Sequence, residues 1–274
     1  MVRIETHGAF VHATLAAPAT RNALSDAMVA GLGDAITLAE ASPLVRALVI
    51  RGDGGTFCAG GDFDRFRDLI ATPVPHDAPD PIASFNRGFG ALLERLQGCA
   101  VATVAVVEGA AMGGGVGLAA ACDFVLAAVS ARFGMPEVTL GLPPAQIAPF
   151  VAQRIGIGAA QRLMLTGRRI GAAQALAVGL VDEALEPSAL DARLAALLIE
   201  LGRAEPAALR ATKAILKHRA QAPLADTLDI AAQLFAASLR SGTAGEGIAA
   251  FSAKRPAAWV TVPSTPGGLS EGPA

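Results

Sequence analysis

The sequence predicts a mixed α/β (α+β) fold in which a sheet-bearing N-terminal part is followed by a cluster of helices. Three observations carry this. An apolar strand, a turn of small residues and a helix start occur twice, at Val45–Ile50 before Phe57-Cys58-Ala59-Gly60-Gly61-Asp62 and at Val101–Val107 before Ala111-Met112-Gly113-Gly114-Gly115. Strand-like runs keep to the first half, and helical spacing takes over from about residue 145. The chain has 274 residues, 53% hydrophobic and 17% charged, enough to bury a sizeable core without disulfides or metals.

Residues 2–16 alternate as one or two short strands. Ser25 is placed to cap a helix whose buried face would be Leu24, Met28, Leu32 and Ile36. Pro73, Pro75, Pro79 and Pro81 make Ala71–Ile82 read as a surface loop, and Phe85, Phe89, Leu92, Leu93 and Leu96 then share one helix face. Glycines at 156, 158, 167, 171 and 179 punctuate short elements, and helical runs are expected over 188–203, 206–219 and 223–241. Residues 1–200 are expected to form the core, 201–262 a helical region, and 263–274, rich in Pro, Gly and Ser, a disordered tail.

Composition narrows the partners. A net charge of −2 and 4% aromatic residues argue against nucleic acid, which needs a basic face and stacking platforms. The lysines, Lys213, Lys217 and Lys254, all lie in the C-terminal quarter, so an anionic group is expected to meet that end. Cys58, Cys99 and Cys122 are widely spaced among apolar or small residues and read as buried reduced thiols. Met1-Val2-Arg3-Ile4-Glu5 lacks the apolar core of a signal peptide, and the apolar stretch 99–128 is cut by Glu108, Gly113–Gly115 and Asp123. No membrane association is expected, and the cytoplasm is the default location. His7, His12, His76 and His218 form no metal spacing, so no metal is expected, and no nucleotide-binding loop is evident.

Each glycine-rich turn leads into a helix, whose first amides lack intrahelical acceptors and can be approached closely where side chains are missing. Facing one another, two such turns could hold one oxyanion; singly, each reads equally as a tight packing turn. Glu137, after Met135-Pro136, is a candidate proton carrier if a dry pocket raises its pKa, or simply a helix-start carboxylate favoured by the dipole. Asp62 reads as a helix N-cap and Asp123 as structural.

Taken together, the two turns, Met135-Pro136-Glu137 and Gly179-Leu180-Val181-Asp182-Glu183 make the chain resemble the crotonase superfamily, the enoyl-CoA hydratases and isomerases, over roughly residues 1–260. The resemblance implies a spiral of repeated strand-strand-helix turns and C-terminal helices that assemble trimers or dimers of trimers. It implies an acyl-CoA thioester substrate, with coenzyme A as part of the substrate and no further cofactor. It assigns the oxyanion donors to the amides of Ala59 and Gly114 and the acid/base to Glu137. The pantetheine would lie along Ala59, Gly60, Gly61 and Asp62, with the adenine end near Thr20 and Arg21. Phe251 and Lys254 match a pair that reaches the CoA of a neighbouring subunit.

Gly117 stands where hydratases of the best-known type carry a second glutamate. Either Glu137 alone handles water and proton, or the reaction needs one carboxylate, as an isomerase does; a CoA-ester binding protein that has lost its catalyst is a third reading. Pro143-Pro144-Ala145-Gln146-Ile147-Ala148-Pro149-Phe150 resembles bacterial hydratases of branched glutaconyl-type CoA esters, which work with a glycine at position 117 and favour the hydratase reading. Gly117 is then expected to leave space for a branched or carboxylated acyl group. Gln146 is expected to contact substrate or water, or to cap the following helix.

Overall fold

The computed structural model describes residues 1–74, 77 and 79–263. Pro75, His76 and most of the proposed tail lie outside the described residues. Strands β1 (Val2–His7) and β2 (Phe10–Leu15) form an antiparallel hairpin that turns at Gly8, whose φ is +61°. Helix α1 (Asp26–Ala41) opens on Ser25, whose hydroxyl accepts the Met28 N–H at 3.3 Å. It buries Met28, Leu32 and Ile36, each contributing about 1.5–3 kcal/mol by leaving water. Leu24 shares their burial but sits before the helix, in a bridge to Gly61.

Strand β3 (Ala47–Gly52) leads to α2 (Phe63–Ala71) and α3 (Pro81–Gln97). The proline-rich segment is therefore shorter than expected. Pro81 opens α3 at a position that needs no N–H, and the Asp80 carboxylate accepts the Ile82 N–H at 2.7 Å. Then come β4 (Ala102–Val107), β5 (Ala110–Met112), α4 (Gly114–Ala121), β6 (Phe124–Ala128) and β7 (Arg132–Gly134). Helices α5 (Ala148–Ile155) and α6 (Ile157–Met164) are followed by β8 (Arg169–Gly171), α7 (Ala172–Ala177) and β9 (Glu183–Leu185). At three residues each, β8 and β9 are too short to show a period, and they interrupt the helical pattern expected from residue 145. The chain closes with α8 (Leu190–Gly202), α9 (Pro206–Gln221), α10 (Leu224–Arg240) and α11 (Thr243–Ser252).

A six-stranded sheet runs β1-β2-β3-β4-β6-β9, parallel from β2 onward, and β5-β7-β8 form a second, three-stranded sheet. Every residue of β4 is buried, as expected of a central parallel strand, and its one polar side chain, Thr103, donates its hydroxyl to Asp123 at 3.0 Å. Polar clips fix the ends. Asp123 accepts from Thr103 N–H at 2.7 Å and from the Lys213 ammonium, so it is structural, and Lys213 is taken up inside the chain rather than offered to a ligand. Arg154 on α5 donates to the carbonyls of Cys122 and Leu180 and to Asp182, which also accepts the Val125 N–H at 2.7 Å; this pins α5 to the sheet. The three cysteines are free and buried, and burial pushes Cys58 and Cys122 up to about 12. Among the described residues no helix is long and apolar enough to cross a membrane.

Candidate active site

The two glycine turns lie side by side beyond the C-terminal ends of β3 and β4. Phe57 N–H donates to Glu108 carbonyl at 2.9 Å, Cys58 N–H to Ala110 at 3.0 Å and Met112 N–H to Cys58 at 2.9 Å, closing a parallel bridge between Cys58 and Ala111. This contact demands glycine. A Cβ on Gly60, whose φ is +98°, would fall 2.9 Å from the Met112 carbonyl oxygen, and one on Gly115 would fall 2.6 Å from that of Cys58.

Which amides remain free corrects one assignment. The Ala59 N–H donates to the Arg21 carbonyl at 2.9 Å, so it is already spent. Gly60 N–H faces the Cys58 sulfur at 3.4 Å, and Gly113 N–H donates to Gly134 carbonyl at 2.8 Å. Gly61 and Gly114 are half-buried, and their amides have no acceptor among the described residues. Leu24 joins them: it bridges to Gly61, and its Cδ1 stands where a Cβ of Gly114 would go. Phe66 lies against Gly61 and Phe89 against Gly114, giving the pair apolar walls.

Glu137 occupies a short 3₁₀ turn after Pro136, with no capping bond from a side chain at its start. Its Oε1 approaches Gly113, 2.8 Å from where a Cβ would sit, so the carboxyl points at the glycine turn. Its Oε2 is buried without a hydrogen-bond partner among the described residues. Burial raises its pKa, opposed only in part by its own N–H. An unpartnered buried oxygen costs about 1–3 kcal/mol, so this carboxyl is poised to hold a proton or bind a ligand.

The expectation of open space at Gly117 fails. A Cβ there would lie 2.5 Å from Ile147 Cγ2 and 3.3 Å from Leu93 Cδ1, so those side chains fill the place of the absent carboxylate. Gly117→Glu should therefore lower the melting temperature, with overpacking alone costing about 1–3 kcal/mol and the buried charge adding to it. An unchanged melting curve would show that Ile147 yields freely. Gln146 does not cap α5; its Nε2 donates to Asn86 Oδ1 on α3 at 2.9 Å. Asp62 is the α2 cap, accepting from Asp64 N–H at 3.1 Å and Arg65 N–H at 3.3 Å.

Thr20 and Arg21 are exposed beside the first turn, and behind them stands Asn22, whose role the sequence did not suggest. It is 0% exposed. Its Oδ1 accepts Ala17 N–H at 2.9 Å, and its Nδ2 donates to the carbonyls of Asp53 at 2.9 Å and Thr56 at 2.7 Å. Arg21 and Asn22 are both left-handed, at φ 53° and 57°, a strain that Asn tolerates best. This anchor aims the Arg21 carbonyl at Ala59 and so sets the turn that ends in Gly61. Asn22→Gly keeps the left-handed backbone but deletes the anchor. It should lower kcat about tenfold or more, as displaced catalytic groups do, with a much smaller change in KM. Full turnover in Asn22→Gly beside a weak Asn22→Ala would mean that backbone conformation alone matters.

Phe251 and Lys254 are not brought to this site within the chain. The segment after α11 is tied through the Trp259 carbonyl to Arg46, at the opposite end of β3, and Phe251 is 86% exposed.

A family model described as enoyl-CoA hydratase/isomerase matches residues 5–261. The chain is 35% identical over 246 residues to the 2,3-dehydroadipyl-CoA hydratase of Escherichia coli (strain K12), covering 88% of this chain and 91% of that protein. Among solved structures, an enoyl-CoA hydratase/isomerase from Marinobacter aquaeolei superposes with a TM-score of 0.91 at 39% identity, over 95% of this chain and 99% of that one. Pseudomonas aeruginosa AtuE gives 0.90 at 41% identity, with the same coverage.

Proposed function

Because the chain belongs to the enoyl-CoA hydratase/isomerase family, within the crotonase superfamily, we propose that it hydrates a 2-enoyl-CoA thioester with Glu137 as its acid and base. The observation that carries this is that, among the described residues, the buried Oε2 of Glu137 has no hydrogen-bond partner and lies beside two joined turns whose Gly61 and Gly114 amides have no acceptor. Ionised Glu137 takes a proton from water as the water oxygen bonds to the β-carbon. The displaced π electrons pass to the thioester oxygen, where the Gly61 and Gly114 N–H groups stabilise the charge. Glu137 then returns the proton to the α-carbon, so the elements of one water are added and nothing is oxidised or reduced. Thr20, Arg21 and Ala59–Asp62 are read as lining the path of the CoA portion, which supplies no chemistry of its own.

Apolar side chains exposed on α10 and α11, among them Phe235, Leu239, Ile248 and Phe251, support a trimer or dimer of trimers in which Phe251 and Lys254 complete a neighbour's CoA site. A stable active monomer in light scattering would overturn that assembly. For the acyl group, the likeness of residues 143–150 to hydratases of branched glutaconyl-type esters supports a substrate larger than crotonyl-CoA.

A second reading, 3-enoyl to 2-enoyl isomerisation with Glu137 carrying the proton between carbons, is favoured by one observation: Ile147 and Leu93 leave no place for a second carboxylate at Gly117. Purified protein with crotonyl-CoA, loss of enoyl absorbance and product identification tests the first; a 3-enoyl-CoA tests the second. A 3-hydroxyacyl-CoA product is expected. Tight binding of both esters without turnover would overturn both readings.

A further inference from the structure

Gln146 and Asn86 form a side-chain amide pair that the proposed reaction does not use. The Oε1 of Gln146 lies where a Cβ of residue 90 would be, so α3 admits this amide because residue 90 is glycine. Glycine inside a helix costs about 1 kcal/mol relative to alanine, and α3 carries that cost in the middle of its 17 residues. Asn86, Phe89, Gly90 and Leu93 follow at i, i+3, i+4 and i+7 and share one face. On that face Phe89 touches the Gly114 turn, 3.2 Å from its Cβ position, and Leu93 meets Gly117. The amide pair therefore stands one helical turn from the ring that walls the oxyanion amides.

A primary amide carries two N–H donors, and across this pair a single bond, Gln146 Nε2 to Asn86 Oδ1, is made among the described residues. The remaining N–H groups have no acceptor among the described residues, and both residues are only half-buried, so a ligand can reach them. Arg87 brings a guanidinium beside the same glycine, Nη1 lying 3.3 Å from the Cβ position, while its Nη2 donates to Glu94 at 2.9 Å. Position 117 holds no carboxylate to repel an anion.

We infer that Asn86 and Gln146 form a subsite for a carboxylate carried on the acyl part of the substrate. The inference rests on the enoyl-CoA reading above and names its substrate class: enoyl-CoA esters with a second, distal carboxyl group. Hydrogen bonds from amides to a carboxylate are charge-assisted and about twice as strong as neutral ones. An alkyl chain in that position would displace water from the amides and leave them unpaired, which is how a polar subsite rejects the analogue lacking its partner.

The test compares glutaconyl-CoA and 2,3-dehydroadipyl-CoA, each with the enoyl-CoA in which methyl replaces the carboxyl. Wild type should prefer at least one carboxylated ester in kcat/KM by about tenfold, the effect of one hydrogen bond to a charged group, and Asn86→Leu should erase that preference. Gly90→Ala favours the helix but takes the place of Gln146 Oε1, so it displaces the amide, and with a melting curve confirming the fold it should erase the preference too. Calorimetric affinities of saturated glutaryl-CoA and adipyl-CoA, against their methyl-ended counterparts, ask the same without turnover. A protein that binds the carboxylated esters selectively yet hydrates none overturns the reaction and supports the subsite. Wild type preferring the alkyl esters, or variants lowering both classes equally, overturns the subsite.

Discussion

Glu137→Gln should lose at least two orders of magnitude in turnover and at the same time become more stable at neutral pH. The loss follows from the usual 10²–10⁴-fold contribution of a positioned acid/base, about the upper part of that range when one group serves both proton transfers. The gain follows from burial. The pKa of Glu137 is raised in the folded state, with desolvation as its first cause. A raised carboxyl binds its proton more tightly when folded, so its contribution to stability is fully present below the unfolded pKa. It is lost as pH rises through the folded value, because folding then fixes a charge whose Oε2 has no partner among the described residues. Glutamine carries no charge to desolvate, so its stability should be flat across that window and exceed wild type above it. Melting curves of both proteins at about pH 4 and pH 8, on either side of an ordinary carboxyl pKa, read the effect directly. Wild-type turnover in the variant would remove Glu137 from the mechanism. A variant less stable than wild type at the higher pH would show that the carboxylate has a partner in solution.

Much of this was legible in the sequence, and the failures share a cause. Ser25, Asp62 and the buried row Met28, Leu32, Ile36 were readable because caps and helical periods depend on residues a few positions apart. The two glycine turns were visible one by one, while their pairing through Cys58 and Ala111 depends on the order of β3 beside β4, which no local pattern contains. Position 117 misled for the same reason. The missing carboxylate could be read directly, but its volume is filled by Ile147, thirty positions on in the chain and brought there by α5, which Arg154 pins. Asn22 carries no local signal of its role, because its left-handed φ and its bonds to Asp53 and Thr56 exist only once that loop is beside it.

Replacing Gly61 or Gly114 by glycolic acid, which turns one peptide N–H into an ester oxygen and adds no side chain, should lower kcat by about 10²–10³-fold each, the loss seen when single oxyanion donors are removed. Ordinary substitutions cannot ask this question cleanly, because a Cβ on Gly114 would run into Leu24 and one on Gly61 would sit 2.5 Å from Phe66. The same exchange at Ala59, with lactic acid, removes the bond to the Arg21 carbonyl instead. That bond holds the turn in shape but faces protein, so its loss should cost stability of about 1 kcal/mol and much less turnover. The three variants thus separate two pairings of donors: Gly61 with Gly114, as the free amides indicate, or Ala59 with Gly114, as resemblance alone implies. KM should move little at any of the three, since the thioester oxygen gains its charge only on the way to the enolate and a donor aimed at that charge acts on the transition state. A lactic acid variant at Ala59 that loses turnover as heavily as the glycolic acid variants would mean that the Arg21 carbonyl swings away when substrate binds. Full turnover in the Gly61 variant would take that amide out of the oxyanion site and leave Gly114 without a partner in the first turn.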